Sequence, residues 1–314
     1  MSPGAVITGW GSALPATVVT NAQLEARLDT TDEWIVTRSG IRERHIGGTV
    51  SALAIDAGRR AVERAGLAPG DIDLLVLATC TPDLTVPATS AAVHYALGLS
   101  GGAFDVNAAC AGFVYALVAA HGALSAAGAR HVLVIGADCV SLITDPDDRA
   151  TAVLFADGAG AVVLEATDDD GLLSVDLGVD GSAHDLLTCP HGGTMHMDGK
   201  EVFRRAVRST VDSASHALER AKLTSDDIAL FVPHQANLRI IEAAASRLDI
   251  PMDRVAVVVD RTGNTSSASV PLALADAADA GRLRAGDNVL LSGFGAGMAW
   301  ATVILRWAVD EDRP

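Results

Sequence analysis

Short uncharged apolar runs alternate along this chain with longer stretches in which apolar and polar positions mix at helical spacing. Ala61–Val76, A-V-E-R-A-G-L-A-P-G-D-I-D-L-L-V, reads as a helix end, a polar turn and a buried strand. His131–Gly136, Gly158–Leu164, Asn288–Gly293 and Gly297–Leu305 read as further buried strands. Val289–Leu305 carries no charge, yet Gly293, Gly295 and Gly297 interrupt it, so two strands joined by a glycine turn fit better than a membrane span.

The pattern repeats. Ala217–Val232, A-L-E-R-A-K-L-T-S-D-D-I-A-L-F-V, matches Ala61–Val76 at nine of sixteen positions with an offset of 156 residues. H-V-L-V-I-G at 131–136 and N-V-L-L-S-G at 288–293 pair at an offset of 157. Half a chain is too long a period for a solenoid. The reading is a duplicated α/β unit, residues 1–170 and 171–314, with the halves meeting at the polar loop Thr167–Gly171. Strands alternating with helices predict mainly parallel sheets covered on both faces. A pseudo-twofold axis would bring equivalent strand ends together. The offset pairs position 78 with His234 and Cys110 with position 266, two residues past Asn264.

Composition narrows the class. Apolar residues make up 49% of 314, with a mean hydropathy of +0.31, which excludes a disordered chain. Aromatics are only 4%, so Ala, Val, Leu and Ile must build the core. The formal charge of −16 argues against nucleic acid and against a basic membrane-surface helix. The first ten residues, M-S-P-G-A-V-I-T-G-W, carry no basic n-region, so no signal peptide is expected. Cysteines at 80, 110, 139 and 189 form no C-x-x-C pair and predict free thiols in a reducing cytoplasm. His184, Cys189, His191 and His196 share one Gly- and Pro-rich loop, but their spacing fits no usual zinc pattern, and no metal is expected.

Three residues carry candidate chemistry. Cys110, in D-V-N-A-A-C-A-G-F-V-Y-A-L, sits where a strand and a small-residue turn run into a helix, whose N-terminal partial charge favours thiolate. Alone it reads more readily as a small core residue. His234 ends the strand I-A-L-F-V, where Pro233 stops the ladder; a satisfied loop histidine is the alternative. Asn264 lies in a turn before a helix, where an N-cap is the alternative. Together they fit a nucleophilic-thiol arrangement. G-F-G-A-G-M at 293–298 leads into a strand rather than a helix and is not a dinucleotide motif. Its backbone N–H groups suit close approach to a reacting oxygen.

D-V-N-A-A-C-A-G-F, V-P-H-Q-A-N-L-R-I-I, G-N-T-S-S-A-S-V-P-L-A-L, G-F-G-A-G-M-A-W and T-T-D-E-W-I-V-T-R-S-G-I-R-E-R-H-I closely resemble the 3-oxoacyl-[acyl-carrier-protein] synthase III family of the thiolase superfamily. The likeness runs from about residue 4 to about 306, in family order. It implies a thiolase-like α/β fold of two fused halves in α-β-α-β-α layers. It implies Cys110 as the nucleophile that takes an acyl group from acyl-CoA, with His234 and Asn264 stabilising the enolate left when malonyl-ACP loses carbon dioxide. The N–H groups of Cys110 and Ala296 match an oxyanion hole; position 296 is commonly glycine in the family, and alanine retains the N–H. Trp34, Arg38 and Arg149 match contacts to CoA, and Gly199, Phe203, Ala206 and Asn237 match the pantetheine tunnel. Val86 matches a residue that reaches across a homodimer into the partner's acyl pocket, and Phe294 a wall of that pocket.

The resemblance implies acyl-CoA and acyl carrier protein as partners, no cofactor, and no contact with nucleic acid or membrane. Residues 200–250 hold eight Lys/Arg against seven Asp/Glu in an otherwise acidic chain. Arg204, Arg205 and Arg208 on one helix, with Arg239 and Arg247, are candidates for docking the acidic carrier protein; an ordinary solvated helix face is the alternative. Competing activities are a polyketide priming synthase, a simple acyltransferase, a non-catalytic partner subunit and a degradative thiolase. Asn264 argues for condensation over simple transfer, and the intact Cys110, His234 and Asn264 argue against a non-catalytic subunit. The absence of a cysteine beyond 189 argues against the thiolase.

Overall fold

The computed structural model of the chain describes residues 4–168 and 171–309. Asp169 and Asp170, in the loop expected between the halves, lie outside the described residues. Nine principal strands build two sheets. They are β1 (Gly4–Ala13), β2 (Leu74–Ala78), β3 (Gly102–Val106), β4 (His131–Cys139), β5 (Asp157–Thr167), β6 (Leu172–Val179), β7 (Ile228–Pro233), β8 (Asn288–Gly295) and β9 (Ala299–Arg306). The first sheet runs β1-β5-β4-β2-β3 and the second β6-β9-β8-β7. The first four positions correspond one to one, and β3 is an extra edge strand.

The sheets are mixed, not mainly parallel. In the first, β2 pairs parallel with β4 and β3, while β5 is antiparallel to β1 and β4. In the second, only β7–β8 is parallel. The reason is plain for β8 and β9: the turn Ala296–Met298 that joins them is far too short for a parallel crossover.

Seven longer helices cover the sheets: α1 (Asp32–Ser39), α2 (Val50–Arg64), α3 (Thr89–Leu97), α4 (Gly112–Ala127), α5 (Gly199–Ala221), α6 (Leu238–Arg247) and α7 (Ser269–Asp279). α4 and α7 are apolar almost all round, so both must be buried. They lie between the two sheets, in one apolar cluster with Val134 and Val162 of the first and Val232 and Val303 of the second. The uncharged stretch Ala109–Ala126, long and apolar enough to span a membrane, is this central layer. α2 covers the outer face of the first sheet. α5 is amphipathic; Val202, Ala206, Val207, Thr210, Ser213, Ala214 and Ala217 recur at helical spacing on its buried face, against the second sheet. β4 is covered on both faces and is buried from Val132 to Cys139.

Candidate active site

Cys110, His234 and Asn264 come from three segments and line one cavity of about 500 Å³. Cys110 occupies the 3-10 turn Ala109–Ala111 that leads into α4. Ala109 there has φ +47°, a left-handed conformation uncommon outside glycine, and its N–H donates to Asn107 Oδ1 at 3.1 Å. Gly295, at the end of β8, touches the back of this turn. A Cβ at 295 would stand 2.6 Å from the Cys110 nitrogen, so the strand can approach the nucleophile's backbone only as glycine.

His234 follows β7 and extends its ladder by one bond, its N–H donating to Ser292 O at 2.8 Å. Gln235 makes the turn rigid. It is fully buried; its Nε2 donates to Pro233 O and Ala256 O, and its Oε1 accepts from the Val258 and Val259 N–H groups. The His234 Nδ1 lies 2.6 Å from Ser269 Oγ. That oxygen already accepts the Gln235 N–H at 3.3 Å, and the described residues offer its proton no other acceptor. The Ser269 proton is therefore assigned to Nδ1, which leaves Nε2 protonated as a donor. Burial lowers the His234 pKa to about 4, so the ring is neutral at pH 7.

Asn264 is pinned through its backbone: its N–H donates to Leu154 O, and its carbonyl accepts from Ala156 N–H, both at 2.9 Å. Its Oδ1 accepts the Ser266 N–H at 3.0 Å. The amide oxygen is thus engaged, and Nδ2 is the donor left for the cavity. The Cys110 thiolate expected from the helix start is not the resting form. Burial pushes the thiol up to about 11, against a lowering hydrogen bond from Ser266 and with a further rise from the Asp138 charge. The resting trio is a thiol, a neutral imidazole and an amide.

Sequence reasoning did not single out Asp138, Gln235 or Ser269. Asp138 is fully buried and accepts from Thr79 Oγ1, Thr81 Oγ1 and the Ser267 N–H and Oγ at 2.6–3.0 Å. It ties β4 of the first sheet to the turn after Asn264. One signal was present: the polar run Thr265–Ser267 and Ser269, wholly buried here, needs partners wherever it packs.

Trp34, Arg38, Gly199, Phe203, Ala206 and Asn237 line the same cavity, as do Phe294 and Arg239. α1 and α6 are locked together at its mouth: Asn237 Nδ2 donates to Arg38 O at 2.9 Å, while its Oδ1 caps α6. Arg149 does not line the cavity. Its guanidinium stacks 4.9 Å from the Trp34 ring centroid, and Arg38 lies 5.6 Å from it. Ala296 follows Gly295 in the half-buried β8–β9 turn. Val86 is 81% exposed and does not line this cavity. Arg204 is paired with Glu201, and Arg205 with Glu201 and Asp180. Arg208 is paired with Asp212. Arg239 stacks over Phe203 at 5.4 Å, and neither it nor Arg247 has a carboxylate partner among the described residues.

The family profile for the 3-oxoacyl-[acyl-carrier-protein (ACP)] synthase III C-terminal region matches residues 218–307, and a second profile of that name matches residues 104–181. A beta-ketoacyl-[acyl-carrier-protein] synthase III of Roseiflexus castenholzii is 49% identical, over 98% of this chain and 99% of that protein. The chain belongs to the 3-oxoacyl-[acyl-carrier-protein] synthase III family. Among solved structures, the synthase III of Aquifex aeolicus superposes with a TM-score of 0.95 at 42% identity, covering 97% of this chain and all of that one. The priming beta-ketosynthase of the R1128 polyketide pathway gives 0.93 at 41%, covering 98% and 97%. As a synthase III the chain has the thiolase-like fold and is an acyltransferase of the condensing class.

Proposed function

We propose that this synthase III joins a short acyl-CoA to malonyl-ACP with loss of carbon dioxide, giving 3-oxoacyl-ACP and initiating fatty-acid synthesis. The observation that carries the reading is the convergence of one thiol and two neutral donors on one cavity. The Cys110 sulfur attacks the acyl-CoA thioester; the C–S bond to CoA breaks, and CoA leaves as a thiol with the Cys110 proton. The malonyl thioester then enters. His234 Nε2–H and Asn264 Nδ2–H donate to its carbonyl oxygen, which gains charge as carbon dioxide departs. A neutral imidazole suits this role, because it donates without having to lose a proton. The carbanion attacks the Cys110 thioester, and the Cys110 and Ala296 N–H groups serve the second oxyanion. No step calls on a cofactor.

In this reading residues 1–170 supply the nucleophile, and residues 171–314 supply the donors. Trp34, Arg38 and Arg149 hold the CoA nucleotide, and the cavity walls at Gly199, Phe203, Ala206 and Asn237 hold pantetheine. Phe294 faces the acyl group. The unpaired Arg239 and Arg247 dock the acidic carrier protein more readily than Arg204, whose charge Glu201 already neutralises. A homodimer is supported by the open edge of β3 and by the exposure of Phe104 on it and of Leu84, Val86 and Tyr95 in the segment between β2 and β3. Val86 would then serve the partner's acyl pocket. Four free thiols suit a reducing cytoplasm.

Intact-protein mass spectrometry with a panel of acyl-CoAs tests the reading. Wild type should gain one acyl mass, and Cys110→Ala none. Asn264→Ala should load normally and condense about 10²–10³-fold more slowly. Acylation of Cys110→Ala would overturn the assignment of the nucleophile.

A further inference from the structure

Asp138, near the end of β4, is a buried carboxylate on which two distant segments converge. Its Oδ1 accepts from the Cys80 and Thr81 N–H groups at 2.8 and 3.2 Å, and from the Thr79 and Thr81 hydroxyls at 3.0 and 2.9 Å. Its Oδ2 accepts from the Ser267 N–H at 2.9 Å and from the Ser267 hydroxyl at 2.6 Å. Ser267 belongs to the turn after Asn264, in which the Ser266 N–H donates to Asn264 Oδ1 at 3.0 Å. To close that bond Ser266 takes φ +52°, a left-handed backbone that a residue with a Cβ adopts only when its surroundings impose it. The constraint is the next residue, whose two polar groups are both seated on Asp138. The seat is close: a Cβ at Gly136 of the same strand would collide with the Ser267 carbonyl oxygen.

We propose that Asp138 is a positioning residue for Asn264: by anchoring Ser267 it holds the turn whose Ser266 N–H engages Oδ1, and so decides that the amide shows the cavity its nitrogen and not its oxygen. This rests on the reading of Asn264 as a donor to the malonyl carbonyl oxygen. An Asn amide reverses by a half-turn of its last torsion with almost no change of shape, so packing distinguishes its two ends poorly. Reversed, it would set an acceptor against the oxygen that gains charge as carbon dioxide leaves. A backbone N–H fixes the sense, because it can only donate, as long as the backbone itself is held. A carboxylate suits the holding role. Its two oxygens accept from the loop after β2 and from Ser267 at once, through charge-assisted bonds. The effect belongs to the second half-reaction, since loading of Cys110 does not use the Asn264 amide. Loading gains nothing from the charge: burial is the main cause of the raised Cys110 thiol, and the Asp138 carboxylate adds to it. Removing the charge should therefore harm decarboxylation and spare or assist loading.

Asp138→Asn keeps one acceptor oxygen and puts an amide nitrogen where the other stood, so the loop after β2 and Ser267 can no longer both be served. Carbon dioxide release from malonyl-ACP should slow by about 10–100-fold, the loss expected for a charge-assisted hydrogen bond. Acyl mass gain on Cys110 from acetyl-CoA should match or exceed wild type. Ser267→Ala loses the hydroxyl bond and keeps the N–H, so it should slow release several-fold with loading unchanged; it decides the matter if Asp138→Asn does not fold. Adding Ser266→Gly to Asp138→Asn should restore part of the lost rate, because glycine takes the left-handed backbone without an anchor. Equal slowing of release and loading would make Asp138 a residue of folding only and overturn the proposal. So would wild-type release in Ser267→Ala, or no recovery in the double variant. A wild type that releases no carbon dioxide from malonyl-ACP would instead overturn the reading of Asn264, and the role of Asp138 with it.

Discussion

Ser269 Oγ stands 2.6 Å from His234 Nδ1, joining the first residue of a central helix to the residue that follows strand β7. The pair decides which ring nitrogen carries the proton, and so whether the histidine offers the cavity a donor or a lone pair.

Ser269→Ala should therefore impair decarboxylation more than loading. The imidazole would keep its place but lose its fixed tautomer, and a net hydrogen bond of about 1 kcal/mol corresponds to roughly a fivefold slowing. Carbon dioxide release from malonyl-ACP should fall while acyl mass gain on Cys110 stays near wild type. An equal fall in both would assign Ser269 to folding instead.

The pH dependence should be unusual at both ends. His234 titrates near 4 rather than 6.5, so its neutral donor form persists to low pH, and the acid limb of condensation should lie well below pH 6. The folded ring binds its proton less readily than the unfolded one. Its contribution to stability is present above about 6.5 and is lost as pH falls toward 4. Cys110 titrates near 11, so its alkylation rate should climb about tenfold per pH unit through pH 10. An ordinary thiol levels off near 8.5. Alkylation followed by peptide mass from pH 7 to 10 distinguishes the two.

Gly295→Ala should damage the site without touching a reactive group. Its methyl would meet the Cys110 nitrogen at 2.6 Å, and backbone on both sides leaves little room to yield. Overpacking of this kind costs about 1–3 kcal/mol and would displace the nucleophile turn. A lower Tm together with at least tenfold slower acylation is expected; a variant with wild-type values in both would contradict the packing.

Arg239→Glu should raise KM for malonyl-ACP several-fold at low salt, with the penalty shrinking as ionic strength rises. The guanidinium stands over Phe203 at the cavity mouth and is not neutralised by a neighbour. Arg204→Glu should do less, because Glu201 already pairs with Arg204 through two hydrogen bonds. The same KM in both variants at low salt would remove Arg239 from the docking surface.

The repeat, the buried strands and the three reactive side chains were all legible in the amino-acid order, because each depends on local pattern or on motif. Leu74–Ala78 and Ile228–Pro233 are strands because their apolar runs are covered on both faces, and such runs look alike in any context. Strand direction was not legible. The segment between β4 and β5 is long enough for either sense, and pairing partners are chosen by the whole sheet. The charge states were not legible either. A helix start argues for a Cys110 thiolate, but enclosure by two sheets and the Asp138 carboxylate outweigh it, and burial is a property of the packed molecule. The roles of Ser269 and Asp138 also depend on contacts between segments 35 to 129 residues apart. Sequence determined which groups could react. Only tertiary structure decided where their protons sit, because a hydrogen-bond partner and a desolvated cavity exist only once distant segments meet.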